Sequence, residues 1–478
     1  MGTKAMIAAE HPLEARAAQK VLEAGGNAID AAVAAFYMTT VVEPQYAGIG
    51  GDAFILAYLA DKRAVVFING SGHAPALATC EKYLGIGGIP DAGPLATSMP
   101  GAVAGFDLAL RKYGTRDYTE LVQPAIDAAL HGHPVSFWSA ANHAGALAKI
   151  SKYPSSVRAF LKNGEPLEPG DVLVQPDLAQ TLHLHVVTEV LKLAFADRNQ
   201  YIADPRFVRD MPVEGLLSQD YADKRRGLIR MDVAISGVAP PGEPRRSDPV
   251  LAGHQISYSA GPSPVVHEIA DAGSAIDGDT SSFSIADPYG NVVSVTHSVA
   301  GLFGSGMVVE ELGFVLNNRM EYFGLEESDV NVLAPGKRVR QTSSPALALK
   351  DGRPFLAWNT PGVDNQPQAM LQAFLNVVEF GMNVQQAVEA PTIVTSSFRQ
   401  SKFPQPAPNV LAIPRLLADR VGVELTRRGH ILQVSELQPP YLQTPSGAGA
   451  VKMVLTDSAR GVIFGSVSPA KDNFVAGW

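Results

Sequence analysis

The chain has 478 residues, 46% of them hydrophobic and 18% charged, with a formal net charge of −9. That composition suits a globular protein with a large core. The acidic balance, with a pI near 5.7, argues against nucleic acid as a partner, because no basic stripe exists to offset phosphates. The single cysteine, Cys80, rules out an internal disulfide and permits a cytoplasmic location. Met1-Gly2-Thr3-Lys4-Ala5-Met6 lacks the apolar run of a secretory signal. Charged or polar residues interrupt every apolar run before it reaches the length of a membrane span. The expectation is a cytoplasmic protein with no membrane partner, periplasmic or secreted only if a leader has been removed.

Residues 12–24 read as an amphipathic, Ala-rich helix that stops at Gly25-Gly26. Residues 28–40 are apolar nearly all round, which predicts a buried helix ending before Glu43-Pro44. The cluster Gly48-Ile49-Gly50-Gly51-Asp52 precedes the strand-like residues 53–58, with 65–68 as the paired strand. A dinucleotide fingerprint needs its glycines after a strand and before a helix, so the reversed order here reads as a close-packed turn. Residues 107–112 and 120–130 carry helical patterns, with glycine stops at Gly114 and Gly132. His131-x-His133 and His183-x-His185 lack a carboxylate or cysteine at zinc-like spacing, so no metal is expected. No other cofactor is indicated. Residues 237–278, rich in Gly, Pro, Ser and Asp, read as a flexible, accessible linker.

The linker leads into Thr280-Ser281-Ser282-Phe283-Ser284-Ile285-Ala286, then Asp287-Pro288-Tyr289-Gly290-Asn291, then Val292-Val293-Ser294-Val295-Thr296-His297-Ser298. Both arms alternate at period two, which predicts half-buried strands, and the middle has the residues of a tight turn. By periodicity alone, the Ser/Thr face of this hairpin simply meets solvent. Beyond it, residues 307–310, 346–349, 451–455 and 462–465 read as strands, and 369–379 and 416–428 as helices. No internal repeat or low-complexity tract is present.

Several motifs, in order along nearly the whole chain, resemble the gamma-glutamyltranspeptidase family of N-terminal-nucleophile hydrolases. They are His11-Pro12-Leu13, Gly25-Gly26-Asn27-Ala28-Ile29-Asp30, Val42-Glu43-Pro44, Gly48-Ile49-Gly50-Gly51, the hairpin, Gly313-Phe314-Val315-Leu316-Asn317-Asn318, Gly336-Lys337-Arg338, Pro361-Gly362-Val363 and Gly465-Ser466-Val467-Ser468-Pro469. The resemblance implies an α+β fold, a four-layer αββα sandwich. It also implies self-cleavage between Asp279 and Thr280 into segments 1–279 and 280–478. These stay together as one structural unit, a heterodimer of the chain's own fragments that is able to pair further. One departure lies at Leu182/His183, where two family motifs normally far apart adjoin, so a long intervening segment is missing.

The chemistry follows from the freed threonine. A hydroxyl is a poor nucleophile until a base takes its proton. The new α-amino group, with an ordinary pKa near 8, supplies that base on the same residue. The resemblance gives Ser298 the place of a threonine that hydrogen-bonds the nucleophile. It gives Gly362 and Val363 the backbone donors of the oxyanion hole. The family has a second glycine where this chain has Val363, so the hole survives only if φ there suits a β-branched residue.

The pocket positions differ more. Around Asn69 the sequence holds no arginine where the family binds an α-carboxylate. Arg319 and Tyr322 stand where a glutamine and an aspartate bind the α-amino group. Ala300 replaces an asparagine, and Gln341-Thr342 a serine pair. A cation at 319 repels an ammonium and welcomes an anion, unless it turns outward or is met by Glu310, Glu311 or Glu321. The leading expectation is a self-processing amidohydrolase or acylase acting on a small amide that is not a typical gamma-glutamyl compound. It resembles the acylase-like and oxamate-hydrolase-like branches. The alternatives are a glutathione hydrolase with an altered pocket, or a non-catalytic family member.

Overall fold

The computed structural model describes residues 1–182, 197, 212–216, 218–228, 240–244, 280–395, 397, 401, 409–435 and 449–478. Asp279, the pair His183 and His185, and most of 237–278 lie outside the described residues. The described part of that stretch, 240–244, is tied down. Gly242 N donates to Asp197 Oδ1 (2.8 Å), and Arg225, ion-paired with Asp197, donates through Nη2 to Pro240 O (2.9 Å). This start of the expected flexible linker is therefore anchored, because a buried carboxylate supplies the acceptor.

The first helices form where their caps are. In α1 (Pro12–Glu23) the His11 ring accepts from Leu13 N and Glu14 closes a capping box, with Pro12 in the first turn. In α2 (Ala28–Val42) Asn27 accepts from the N–H groups of Ile29 and Asp30, and every helical residue is buried. β1 (Met6–Ala9) precedes them; β2 (Asp52–Leu59), β3 (Ala64–Gly70), α3 (Ala102–Tyr113) and α4 (Tyr118–His131) follow. The hairpin is β4 (Ser281–Ala286) and β5 (Val292–Ser298), paired Ser281 to His297 through Ala286 to Val292. After it come β6 (Ala346–Lys350), β7 (Arg353–Asn359), α5 (Gln366–Val378), α6 (Val384–Glu389), α7 (Arg415–Arg427), β8 (Lys452–Asp457), β9 (Val462–Val467) and β10 (Phe474–Gly477).

A six-stranded antiparallel sheet runs β10-β1-β4-β5-β2-β3, and a four-stranded one runs β6-β7-β8-β9. The larger sheet takes three strands from before residue 280 and three from after it. α2 packs on β4 and β5, and α3 on β2 and β3. The other face of the hairpin meets β7 and β8, while α5 and α6 lie against the smaller sheet. The hairpin is thus covered on both sides, not half-buried. Phe283, Ile285, Val293 and Val295 join Ile29 and Phe36 of α2 and Phe106 of α3 in the main core.

The hydroxyl face, expected from periodicity to meet solvent, is fully buried against the second sheet. Asn359 Nδ2 donates to Ser284 Oγ (2.9 Å), Ser294 Oγ (3.0 Å) and Phe283 O (2.7 Å), and Ser294 Oγ to Trp358 O (3.1 Å). Period two reveals that one face is polar but not what covers it. Here the cover brings its own hydrogen-bond partners, as a buried polar face requires. The expected strand at 307–310 is not formed; Val308 makes only an isolated bridge to Val315. Gly306 (φ +77°) and Gly313 (φ +74°) turn the chain on either side of it.

Candidate active site

Thr280 sits immediately before β4, at the end of the hairpin opposite its turn. It is 5% exposed, and its Oγ1 donates to Ser298 Oγ at 3.2 Å. Ser298 Oγ also accepts from Ala300 N (2.9 Å), so it joins Thr280 to the chain that follows β5. Ser298 pairs with Asp52 across β5 and β2, and directly opposed residues share a sheet face. Thr280, Ser298 and Asp52 therefore form a row across three adjacent strands. The glycine cluster before Asp52 is a close-packed turn. A Cβ on Gly51 would stand 2.4 Å from Ser298 O, and one on Gly50 2.0 Å from Val315 O.

Asp52 organises the next shell of residues. Its Oδ1 accepts from Gly72 N (2.8 Å), and its Oδ2 from Arg319 Nε (3.0 Å) and Gln341 Nε2 (3.0 Å). Arg319 is therefore met by Asp52, not by Glu310, Glu311 or Glu321. At 1% exposure it lies beneath the site rather than at its mouth. The pair is neutral overall, which corrects the expectation of an uncompensated cation. The Tyr322 ring lies 4.8 Å from the guanidinium carbon. Arg319 Nη2 has no acceptor among the described residues. Thr342 is buried nearby in sequence, its carbonyl accepting from Ser344 Oγ (2.9 Å).

Asn69 stays exposed on the edge strand, its Oδ1 accepting from Ser71 N (2.9 Å) and Oγ (2.6 Å). No arginine stands near Asn69 in sequence, but one reaches that stretch in space. Arg338 arrives from a distant loop, is exposed, and donates through Nε to Ser71 O (3.0 Å). Chain-local inspection missed it because 267 positions separate the partners.

Pro361, Gly362 and Val363 follow directly on β7, whose Asn359 is fixed to the hairpin. Gly362 has φ +125° and Val363 φ +48°. A β-branched residue in the left-handed region is strained by roughly 1–3 kcal/mol. Neither N–H makes a hydrogen bond among the described residues, which leaves both free to donate. Ala300 is a second left-handed non-glycine residue (φ +80°), two positions after Ser298. Strain of this kind gathers at functional sites. The Val363→Gly variant should melt no lower than the parent. Strain relief outweighs the roughly 0.5–1 kcal/mol entropic cost of glycine and the partial contact of this half-buried side chain with the apolar cluster around Tyr322. A clearly lower midpoint in a thermal melt would show that the turn prefers valine.

Sequence reasoning missed a buried charge cluster under the same strand end. Glu10 pairs with Lys452 and with Lys471 (2.7 Å); Glu10 and Lys452 are fully buried, and the Lys471 side chain is 6% exposed. Burial alone raises the Glu10 carboxyl, but the charges of Lys452 and Lys471 outweigh it and hold it below its ordinary value. Burial, then the charges of Glu10 and Glu14, push Glu43 well above its ordinary value. Burial raises Glu14 to about 8. The one available signal was a lysine inside the apolar run Val451-Lys452-Met453-Val454.

His131 Nδ1 lies 3.0 Å from Asp127 O, and His133 packs edge-on to His11. No helix among the described residues is long and apolar enough to cross a membrane.

This pairing of antiparallel sheets, with a threonine opening a central strand, is the fold of the N-terminal-nucleophile hydrolases. The chain belongs to the gamma-glutamyltranspeptidase family, whose profile matches residues 15–184 and 182–477. It is an amidohydrolase of that family, and its relatives are proenzymes. The glutathione hydrolase proenzyme of Bacillus subtilis strain 168 is 28% identical over 532 aligned residues, covering 91% of this chain and 88% of the relative. Acylase ACY 1 proenzyme of Pseudomonas sp. strain SE83 is 30% identical over 533, covering 90% and 87%. The crystal structure of cephalosporin acylase from Bacillus halodurans superposes with a TM-score of 0.73 at 25% identity, covering 100% of this chain and 96% of that one. The two matched blocks of the profile meet at the Leu182/His183 junction. Both sequence alignments run longer than the 478 residues of the chain.

Proposed function

We propose that Thr280 is both the agent of maturation and the catalytic nucleophile of a small-amide hydrolase with a four-layer αββα architecture. In maturation, Thr280 Oγ1 attacks the carbonyl carbon of Asp279, and the C–N bond breaks with the hydroxyl proton passing to the freed Thr280 amine; water then opens the resulting ester, releasing the Asp279 carboxylate and restoring the Thr280 hydroxyl. In turnover, that amine takes the proton from Oγ1 as it attacks the substrate carbonyl. The N–H groups of Gly362 and Val363 receive the oxyanion, and the leaving amine departs with a proton. Water then releases the acyl group. The observation that carries the reading is the Thr280 Oγ1 to Ser298 Oγ hydrogen bond at 3.2 Å, with Asp52 opposite Ser298 on the next strand.

In this reading the acyl group is received on the Asp52 side of Ser298, with Arg319 and Gln341, both bound to Asp52, and Tyr322, Thr342, Asn69 and Arg338 as the further candidate substrate-binding residues. The acyl group these residues suit carries oxygen acceptors and no α-ammonium. Intact-mass analysis of the purified protein is the direct test. Two fragments breaking at Asp279/Thr280 support the reading, and a chain that never matures opposes it. Ser298→Ala should mature and retain activity reduced roughly 10- to 100-fold, the scale of one hydrogen bond to a reacting group. An unchanged kcat would remove Ser298 from the mechanism.

Segments 1–279 and 280–478 remain one structural unit after cleavage, because the six-stranded sheet alternates between them. Segment 280–478 expressed alone should not fold. A monomeric product with cooperative unfolding and native-like circular dichroism would refute this.

A further inference from the structure

Three successive residues at the strand end, Thr280, Ser281 and Ser282, are each held by a different buried charged side chain. Lys471 Nζ lies 3.4 Å from Thr280 O. Ser281 Oγ donates to Glu43 Oε2 at 2.9 Å. Lys452 Nζ donates to Ser282 Oγ at 3.2 Å. Glu10 bridges the two lysines. The lysines come from elements far along the chain, Lys452 opening β8 and Lys471 in the turn before β10. Lys471 is itself held in the left-handed region, at φ +62°, and its ammonium lies 4.0 Å from the centre of the Tyr46 ring. A strained backbone that delivers a charge under one peptide is the signature of placement rather than of packing.

We propose that Lys471 is a positioning residue that keeps the freed α-amine of Thr280 uncharged, and so ready as base, at neutral pH. The inference rests on Thr280 being the N-terminal nucleophile. A residue's own N and O are about 3 Å apart, which puts the ammonium within roughly 7 Å of the amine. A like charge at that range in a protein interior disfavours protonation. The surrounding groups do not cancel it. Glu10 is ionised but shared between two ammonium groups. Glu43 and Glu14 are pushed by burial toward their neutral forms. Burial raises Asp472, which takes a hydrogen bond from Ser136. Burial depresses His297, on the opposite face of β5, to about 3, so it is neutral. Asp52 and Arg319, beyond Ser298, compensate each other. Lys452 is drawn down by burial and back up by Glu10. The net expected effect on the amine is a downward shift of about one pH unit from the ordinary value near 8.

The experiment is the pH profile of kcat/KM for the mature enzyme and two variants. The amine must be neutral to act, so activity falls on the acid side of its pKa. Lys471→Met should move the acid limb upward by about one unit, with activity recovered at high pH. Lys471→Arg, which keeps the charge, should leave the limb near its original place. A loss uniform across pH in Lys471→Met means a merely structural role and overturns the inference. If Lys471→Met fails to mature, the parent enzyme decides the matter alone. Its Thr280 amine is titrated by pH-dependent acetylation against a reference amine, read from the mass of the fragment that begins at Thr280. Half-reactivity near pH 7 supports the inference, and a value at or above 8 overturns it while leaving Thr280 as nucleophile. A parent with no break at Asp279/Thr280 has no such amine, and overturns both readings.

Discussion

Thr280→Ala should be recovered as one uncleaved chain of 478 residues with no measurable turnover. In the proposed mechanism the hydroxyl forms the ester that severs the chain and later the acyl-enzyme, so its loss stops both steps. Removing the nucleophile of a hydrolase that works through an acyl-enzyme costs on the order of 10⁶ in kcat, which puts residual activity below ordinary detection. The variant should still fold. Ser298 Oγ keeps its bond from Ala300 N, and Ser281 and Ser282 keep their partners in Glu43 and Lys452. Thr280→Ser retains an attacking oxygen and should keep part of each activity. A denaturing gel and an intact mass read the first outcome, and a chromogenic amide the second. Breakage of the alanine variant at the same bond would mean that another group does the cutting.

Much of this architecture can be read along the chain because its determinants are local. The expected helix at 12–24 is observed as Pro12–Glu23, and that at 28–40 as Ala28–Val42. In both, the stop or cap residues sit where the pattern places them. The hairpin is equally local, since its turn residues lie between two period-two arms. What covers each strand is not local. The serine face of the hairpin is buried because Asn359 and Lys452, remote in sequence, carry partners to it. The same limit applies in the pocket. The substitution at Val363 announced a backbone conflict, and the positive φ is there. The companion of Arg319 was invisible, because Asp52 lies 267 positions away and had been read only as the end of a glycine turn. Glu10 and Lys452 are 442 positions apart. No spacing rule links them, and burial, the property that gives the pair its meaning, emerges only when β1 and β8 come together beside the hairpin end.

The mature enzyme should prefer glutaryl-p-nitroanilide to gamma-glutamyl-p-nitroanilide by roughly 10- to 100-fold in kcat/KM. The two compounds differ in the α-amino group, so the ratio isolates what an ammonium costs in this pocket. Asp52 neutralises Arg319, so the preference comes from the engagement of that carboxylate and not from a bare cation at 319. Both oxygens of Asp52 are already occupied, one by Gly72 N and the other by Arg319 and Gln341. Residue 322 is a tyrosine. An ammonium entering beside Asp52 gives up water and finds that carboxylate already engaged, the penalty that makes unpaired charge unfavourable in a protein interior. The donors point the other way. Arg319 Nη2 has no acceptor among the described residues, and Arg338 is exposed, its Nε donating to the Ser71 carbonyl. One hydrogen bond to a charged group is worth about 1.5–3 kcal/mol, and each 1.4 kcal/mol is about a factor of ten, which sets the expected ratio. Oxamate, an amide with an adjoining carboxylate and no ammonium, should also be turned over. Arg338→Ala should raise KM for the glutaryl compound and leave KM for the gamma-glutamyl compound less affected. Efficient hydrolysis of the gamma-glutamyl anilide, with little of the glutaryl anilide or oxamate, would defeat this reading and place the pocket with the glutathione hydrolases.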